Sequence, residues 1–431
     1  MKRLLVPVLA VFWVLQPGAP ALPSQSQDGP IEIVSVAATE ANLKALAEMG
    51  ADVLKGAAGR VYIVATARDL GGLSTRGIPF AVETAHFAPA RPVATSAGGG
   101  INGEFHSYRE LETDLNALEA AHPRTVKLRT IGTSLEGRNI YAVKISDAPE
   151  RDEGEAGVLI LGCHHAREWI SVEVPLLLAR YLAENSESDP AVADLVARGE
   201  IWIVPLVNPD GLEYSIDVYR FWRKNRRANP DGSFGVDLNR NYGYMWGTDE
   251  VGSSPSPVSE VYRGPSAFSE PETRAVRDLF QGRDFRAVVS FHSYSQTILY
   301  PWGYADVPTD RDGLLQEIGS EMAGLIEAVN GRAYACGRAA SALYLTNGDA
   351  TDWTFAEAGV PSYTVELPPV DVEHGSFFNA EADIDGIFRE NLPAMLSLAR
   401  RAVLAPGGDS VARPEKEPRA APLTKRSQKH N

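Results

Sequence analysis

The chain has 431 residues, which is enough for one large domain and a smaller one. Hydrophobic residues make up 44% and charged residues 23%, so a largely disordered protein is excluded. The formal net charge of −15 argues against nucleic acid or an anionic membrane as the main partner. Cys163 and Cys336 are the only cysteines, so there is no disulfide framework; a single bridge and two free thiols both remain open.

Residues 1–21 have the pattern of a secretory signal peptide. A basic start, Met1–Arg3, precedes the apolar run Leu4–Leu15, and Ala19-Pro20-Ala21 supplies small residues for a cleavage site. A membrane anchor is the alternative, but this run, interrupted by Pro7, is shorter than the about 20 residues that a bilayer requires. We therefore expect a protein secreted to the extracellular or periplasmic space.

Residues 31–86 repeat one pattern twice. Strand-like runs at 31–36, 51–54, 61–65 and 79–82 alternate with helical patterns at 40–49 and 67–73. The order βαββαβ predicts a small ferredoxin-like α+β module. Residues 87–102 contain the run Gly98–Gly100 and two prolines, which is typical of a flexible, protease-accessible linker.

Residues 103–404 alternate between buried strand-like runs and amphipathic helices. Ser107 and Glu110 form a capping box for a helix that reaches Ala121. The alternation predicts an α/β domain with a mixed, mostly parallel twisted sheet flanked by helices. Residues 405–431 are rich in Pro, Lys and Arg, so we expect a disordered tail.

Unusual polar residues stand at the ends of several predicted strands. His165 and Glu168 follow the run at 158–162, His292 follows the run at 287–291, and Glu366 lies inside an apolar strand. His and Glu three residues apart can converge on one metal ion, and a distant His completes a three-ligand site open to water. The alternative is a set of buried, hydrogen-bonded side chains that bind nothing.

Seven ordered blocks carry a resemblance to a known family. They are Gly162–Ile170, Asn208–Gly211, Phe221–Lys224, Val236–Asn241, Phe291–Gln296, Asp352-Trp353 and Tyr363–Leu367. Together they resemble the metallocarboxypeptidases of the carboxypeptidase A and B type over residues 103–404. The resemblance implies the zinc carboxypeptidase fold, one Zn²⁺ per catalytic domain, and peptide or protein C-termini as substrates.

By this resemblance, His165, Glu168 and His292 are the zinc ligands, the His₂Glu set of that family. His164 is one residue early for the family pattern, so we expect it to have a structural role or to support a ligand from behind. Asp237 is similar to the carboxylate that supports a ligand imidazole, where it fixes tautomer and basicity.

The resemblance also implies the reacting groups. Glu366 is similar to the family's general base, which takes a proton from the metal-bound water. Arg223 is similar to the cation that polarises the scissile carbonyl and stabilises the oxyanion. The alternative for Arg223 is a solvated residue in the basic run 220–227.

A carboxypeptidase must also recognise a free carboxylate at a fixed distance from zinc. Arg240 with Asn239 resembles the family's carboxylate-binding element, since an arginine fork suits bidentate binding. Tyr344 matches the substrate-capping tyrosine, and Arg167 resembles a secondary substrate contact. This set favours a true carboxypeptidase over relatives that cleave cell-wall peptides or a catalytically dead homologue that only binds.

The pocket for the departing side chain is predicted at Thr351 and Asp349. The family position matching Thr351 is apolar in enzymes for apolar ends and acidic in enzymes for basic ends. Asp349, two residues earlier, offers a carboxylate from another angle. The pair resembles bacterial carboxypeptidases of the T type, so we expect cleavage of both apolar and basic C-terminal residues.

In this family a segment placed like residues 31–86 covers the active-site cleft until the linker is cut. The module here is short, so a role as a folding aid alone is the alternative. We expect a monomer that acts without nucleic acid or membrane partners.

Overall fold

The computed structural model describes residues 32–56, 59–83 and 102–404. The predicted signal peptide, most of the predicted linker and the predicted tail lie outside these residues. What is described is a small N-terminal module and a large α/β unit that pack against each other.

The N-terminal module, residues 32–83, contains four strands and two helices in the order βαββαβ. They are β1 Glu32–Ala37, α1 Glu40–Met49, β2 Asp52–Lys55, β3 Arg60–Ala65, α2 Ala67–Thr75 and β4 Phe80–Val82. The strand order is β2-β3-β1-β4 and every pair is antiparallel, as in a ferredoxin-like module. A core of alternate strand residues and helix residues, including Val34, Leu46, Ile63 and Leu73, holds the helices on one face.

The large unit is built on eight strands. They are β5 Val126–Thr133, β6 Asn139–Ile145, β7 Gly157–Gly162, β8 Glu200–Val204, β9 Phe285–Ser293, β10 Thr297–Tyr300, β11 Ala335–Arg338 and β12 Ser362–Leu367. Their order is β11-β10-β12-β9-β7-β8-β6-β5. Four pairs are parallel: β7-β8, β7-β9, β9-β12 and β10-β11. The pairs β10-β12, β6-β8 and β5-β6 are antiparallel. The predicted mixed, mostly parallel sheet is confirmed.

Nine helices of the described chain surround this sheet. They are α3 Tyr108–Ala121, α4 Ile170–Asn185, α5 Pro190–Val196, α6 Pro209–Asp217, α7 Pro271–Phe280, α8 Asp312–Asn330, α9 Ala339–Ala342, α10 Ala350–Ala358 and α11 Ile384–Leu404. The predicted capping box at the start of α3 is confirmed: Ser107 accepts from the Glu110 backbone and Glu110 accepts from the Ser107 backbone.

Side-chain alternation along the central strands divides the interior into two layers. On β7, Val158 and Ile160 face one apolar cluster, whereas Leu159 and Leu161 face the other. All six residues of β7 are buried, because helices cover both faces of the sheet. The central strands β7, β8 and β12 are therefore buried along their whole length.

The module packs on the large unit near the ends of β9 and β12. Its Ile33, Leu54 and Tyr62 join Tyr294 and Phe377 in one apolar cluster. At the edge of this contact, Ser259 Oγ donates to the carbonyl oxygen of Gly50 at 3.2 Å. The sheet of the module thus lies against segments that flank His292 and Glu366.

Both cysteines are free, which resolves the open question: Cys163 is buried and Cys336 is half-buried, and no disulfide joins them. Within the described residues, no helix is long and apolar enough to cross a membrane.

Candidate metal centre and active site

Strand register brings the predicted site residues together. β12 and β9 are parallel, with Glu366 opposite His292, and β9 and β7 are parallel, with Phe291 opposite Gly162. The carboxyl ends of these three strands therefore meet at one edge of the sheet, where α/β proteins place their functional groups. Residues from distant parts of the sequence converge because the strands are neighbours.

His165, Glu168 and His292 form a compact three-residue group. Glu168 contacts His165 Nδ1 through Oε1 at 2.8 Å and His292 Nδ1 through Oε2 at 3.0 Å. The two Nδ1 atoms are 3.1 Å apart, and the three donor atoms lie within 4.8 Å of one another. All three side chains are buried. Two imidazole nitrogens and one carboxylate fit a catalytic zinc site with a position left for water.

Each imidazole is held through its second nitrogen. His165 Nε2 contacts Asp237 Oδ1 at 3.2 Å, and His292 Nε2 contacts Ser290 Oγ at 3.0 Å. Both rings therefore direct Nδ1 toward the group. Hydrogen-bond partners of the second nitrogen orient metal-binding imidazoles in the same way. Ser290 was not predicted; it precedes His292 by two residues on β9, and the period of two along a strand was the available signal.

Asp237 also holds Arg223. Its Oδ2 accepts from Arg223 Nε at 3.1 Å and from Arg223 Nη2 at 2.8 Å. Burial opposes the charged form of Asp237, but Arg223, Arg240 and His165 outweigh it and hold its pKa well below the usual range. One buried carboxylate thus orients a member of the metal group and a neighbouring cation. Arg223 is not a solvated residue of the basic run, since it is 5% exposed.

His164 points away from the group, in agreement with the structural role predicted for it. Its Nε2 contacts Tyr242 Oη at 2.8 Å and its Nδ1 contacts Ser290 Oγ at 3.2 Å. Its ring stacks on His292 with centroids 5.5 Å apart. His164 therefore packs against the His292 ring and contacts the Ser290 hydroxyl that also holds His292.

Glu366 lies beside His292 and is 8% exposed. Burial lowers the pKa of His292, but the carboxylates of Glu168 and Glu366 outweigh burial and the net shift is upward. A carboxylate in this position can exchange a proton with a water at the metal group.

Asn239, Arg240 and Tyr344 occupy a second cluster next to the metal group. Arg240 Nε donates to the carbonyl of Gly252 at 2.9 Å and Nη1 donates to the carbonyl of Asn239 at 2.8 Å. The Tyr344 ring lies 5.9 Å from the Arg240 guanidinium and is 43% exposed. The Asn239 side-chain oxygen accepts from Ala350 N at 2.9 Å, which leaves its amide nitrogen for a ligand.

Arg167 is engaged by the N-terminal module. Its guanidinium forms a two-pronged ion pair with Asp52 of β2, with Nη2 to Oδ1 at 2.7 Å, and it lies 4.2 Å from the centre of the Phe377 ring. Both charged side chains are buried. A predicted substrate contact is therefore occupied by residues 32–83. Asp52 was missed by sequence reasoning, because no local pattern marks a partner 115 residues away.

The predicted pocket residues Asp349 and Thr351 contact each other at the start of α10. Asp349 caps this helix by accepting from Asp352 N at 2.8 Å, and it also accepts from Thr351 Oγ1 at 3.0 Å and Thr346 Oγ1 at 2.6 Å. Burial and the charge of Asp349 raise the pKa of Asp352 well above its usual value. Asp349 thus combines a capping role with a negative charge.

Comparison with known proteins decides the family. Residues 111–394, more than half of the chain, match the family described as zinc carboxypeptidase. The chain belongs to this family.

The relatives include A-type and B-type members. The chain is 36% identical over 282 residues to a metallocarboxypeptidase A-like protein of Trichophyton verrucosum, covering 63% of this chain and 65% of that protein. It is 34% identical over 274 residues to carboxypeptidase B of Astacus astacus, covering 61% and 86%. The chain thus spans just under two thirds of the fungal relative's length. The crystal structure of carboxypeptidase A from Helicoverpa armigera superposes with a TM-score of 0.74 at 27% identity, covering 89% of this chain and 100% of that one.

The chain therefore has the zinc carboxypeptidase fold and is similar to A- and B-type members of the family, whose catalytic metal is zinc. The donor set at His165, Glu168 and His292 fits this ion.

The change Asp237→Asn is expected to weaken zinc binding about 10- to 100-fold, because the charge behind the His165 imidazole is lost. Zinc affinity is measured by competition with a chelator. The control is Asp210→Asn, which alters an equally buried carboxylate paired with Arg138, away from the metal group. Equal zinc affinities for the Asp237 variant and wild type would contradict the role of Asp237.

Proposed function

We propose that this protein is a secreted zinc carboxypeptidase that hydrolyses the last peptide bond of a chain and releases one residue at a time. The observation that carries the proposal is the placement of the Arg240 and Tyr344 cluster beside the metal group. A metal group alone would suit any hydrolase, whereas a fixed cation next to it selects substrates that end in a free carboxylate.

The residues have separate tasks in the proposed reaction. Zinc held by His165, Glu168 and His292 would polarise the scissile carbonyl and make a bound water acidic. Glu366 accepts a proton from the attacking water and delivers it to the leaving amine.

Arg223 stabilises the negative charge that develops on the carbonyl oxygen, and its fork on Asp237 holds it in place before the reaction begins. Because its position is fixed in advance, little reorganisation is needed when the charge appears. Arg240 binds the terminal carboxylate and Asn239 donates its side-chain amide to it. Tyr344, half open to solvent, closes over the bound residue.

We expect peptides with a free C-terminus to lose single residues in order, and the same peptides with an amidated C-terminus to stay uncut. A chelator should abolish cleavage and added zinc should restore it. Glu366→Gln should lower kcat about a hundredfold or more, because the general base is lost while the metal group is kept. Products are followed by mass spectrometry, and zinc content shows that the variant is loaded.

Two outcomes would contradict the proposal. Equal cleavage of amidated and free peptides would indicate another bond specificity, such as cell-wall peptide cleavage. Purified protein without zinc and without activity would indicate a binding protein.

The proposed pocket accepts both apolar and basic C-terminal residues, as the resemblance to carboxypeptidase T suggests. Asp349 supports this proposal because it is a buried carboxylate at the start of α10, linked to Thr351 by a hydrogen bond. Its charge attracts a basic side chain, while its partners spread that charge over three donors and leave room for an apolar one.

Asp349→Asn should lower the kcat/KM ratio of Lys-ended to Leu-ended peptides about tenfold, since the helix cap is kept but the charge is lost. Asp189→Asn, which alters the cap of α5 in the same way, is the control and should leave this ratio unchanged. An unchanged ratio in the Asp349 variant would remove the acidic pocket from the proposal.

The N-terminal module is proposed to keep the enzyme inactive until the linker is cut. The buried Asp52 to Arg167 ion pair and the shared apolar cluster around Tyr294 support this role. A peptide that needs Arg167 or the surface of Tyr294 would have to displace the module. The alternative, a folding aid only, predicts that the uncut chain is as active as the cut one.

Asp52→Ala should raise the activity of the uncut chain about tenfold or more, because Arg167 then lacks its partner and the module binds more weakly. Activity after cutting should equal that of wild type. Glu48→Gln, on the exposed side of α1, is the control. Equal activity of the uncut Asp52 variant and uncut wild type would contradict inhibition through this ion pair.

A further inference from the structure

Arg240 and Tyr344 stand on two different loops, and a third residue joins these loops. Arg240 belongs to the loop 239–253 and Tyr344 belongs to the segment 344–350. The distance between the guanidinium and the ring, 5.9 Å, therefore depends on how the two segments are docked. Asn347 lies at the centre of this docking and is 1% exposed.

All three polar groups that Asn347 directs toward the other loop are used. Its Nδ2 donates to Asp249 Oδ1 at 2.9 Å, and its Oδ1 accepts from Ser253 Oγ. Its backbone N–H donates to the carbonyl of Gly252 at 3.3 Å. A buried asparagine with every group satisfied by one loop specifies a single docked geometry.

The carbonyl of Gly252 also accepts from Arg240 Nε at 2.9 Å. The same oxygen thus fixes the plane of the guanidinium and binds the segment that carries Tyr344. A side chain at Gly252 would place its Cβ 2.6 Å from Asn347 Nδ2, so the two loops meet at closest approach here.

The neighbouring residue strengthens the contact. Gly348 has φ of +74°, and a Cβ there would lie 2.5 Å from the Arg240 carbonyl oxygen. Its own carbonyl accepts from Tyr242 N at 2.8 Å. The backbone of residues 347–348 therefore rests directly on the backbone of residues 240–242.

Asp249 is the residue that accepts the hydrogen bond from the Asn347 side chain. Its Oδ1 accepts from Val251 N at 2.8 Å and Gly252 N at 3.1 Å, besides Asn347. Burial opposes the charged form of Asp249, but these hydrogen bonds outweigh it and lower its pKa. It remains an acceptor at neutral pH, and it requires a donor at position 347.

We propose that Asn347 is a positioning residue that holds the carboxylate-binding Arg240 and the capping Tyr344 in register, and so sets the affinity for a free C-terminal carboxylate. This inference rests on the proposed exopeptidase function. Asn347 touches no reacting atom, so its effect is expected on binding of the terminal residue rather than on the chemical step.

The test uses the cut, zinc-loaded enzyme and a Leu-ended peptide with a free C-terminus. Asn347→Asp keeps the size of the side chain but places a carboxylate against Asp249, so the loops separate. KM should rise about tenfold or more while kcat changes less than about threefold. Zinc affinity should stay at the wild-type value.

A second variant separates positioning from general damage. Asn347→Ala removes the side-chain bonds to Asp249 and Ser253 without adding a charge, and it keeps the backbone bond to Gly252. KM should rise about threefold or more while kcat and zinc affinity stay at the wild-type values. The matched control is Asn391→Asp, a buried asparagine of α11 that donates to the Ile387 carbonyl at 2.9 Å. It should lower stability and leave KM unchanged.

An unchanged KM in Asn347→Asp would overturn the proposal. So would a fall in kcat as large as the rise in KM in both Asn347 variants, since that is the pattern of a structural role. Failure of the proposed function is seen separately, because wild type would then cleave amidated and free peptides alike.

Discussion

The parallel register of β7, β9 and β12 is the constraint on which the site depends. These strands lie far apart in the sequence, at Gly157–Gly162, Phe285–Ser293 and Ser362–Leu367, and they end at the same edge of one buried sheet. His292 and Glu366 are opposite each other because β9 and β12 are paired in register. A shift of one residue would turn every side chain of the shifted strand to the other face, and the metal group and Glu366 would separate.

Around this edge the protein places charged groups in the interior and satisfies each with a specific partner. Asp237 is shared by His165 and Arg223, and Arg167 is met by Asp52. Buried charges are costly unless they are paired and hydrogen-bonded. The pairing of Arg167 differs from that of Arg223, since its partner belongs to the N-terminal module. Removal of the module would leave this cation to water or to a ligand.

Much of this organisation was visible in the sequence. The helix Glu40–Met49 was predicted with its observed bounds, because its apolar residues recur with a helical period. The hairpin β5-β6 was missed, since most residues of β5 are half-exposed and the alternation of β5 is weak.

Site residues, like strands, were predicted only where the sequence itself carries a pattern. His165, Glu168, His292 and Glu366 were found because they interrupt apolar runs or match a family pattern. Ser290, Asp52 and Asn347 were not, because each is an ordinary polar residue whose role comes from a partner distant in sequence. Asp349 was predicted as a pocket carboxylate, and its capping role became visible only with the start of α10.

The hydrogen bonds to the second nitrogens of His165 and His292 have a consequence for how the metal is acquired. Because Asp237 and Ser290 already hold both rings, an ion bound by His165, Glu168 and His292 would meet preorganised donors, and little side-chain entropy would be lost on coordination. The fold is built by the sheet and its two apolar layers rather than by the ion. This differs from small zinc domains, in which coordination and folding are one event. Exchange of the ion would therefore involve the three donor side chains and leave the sheet folded.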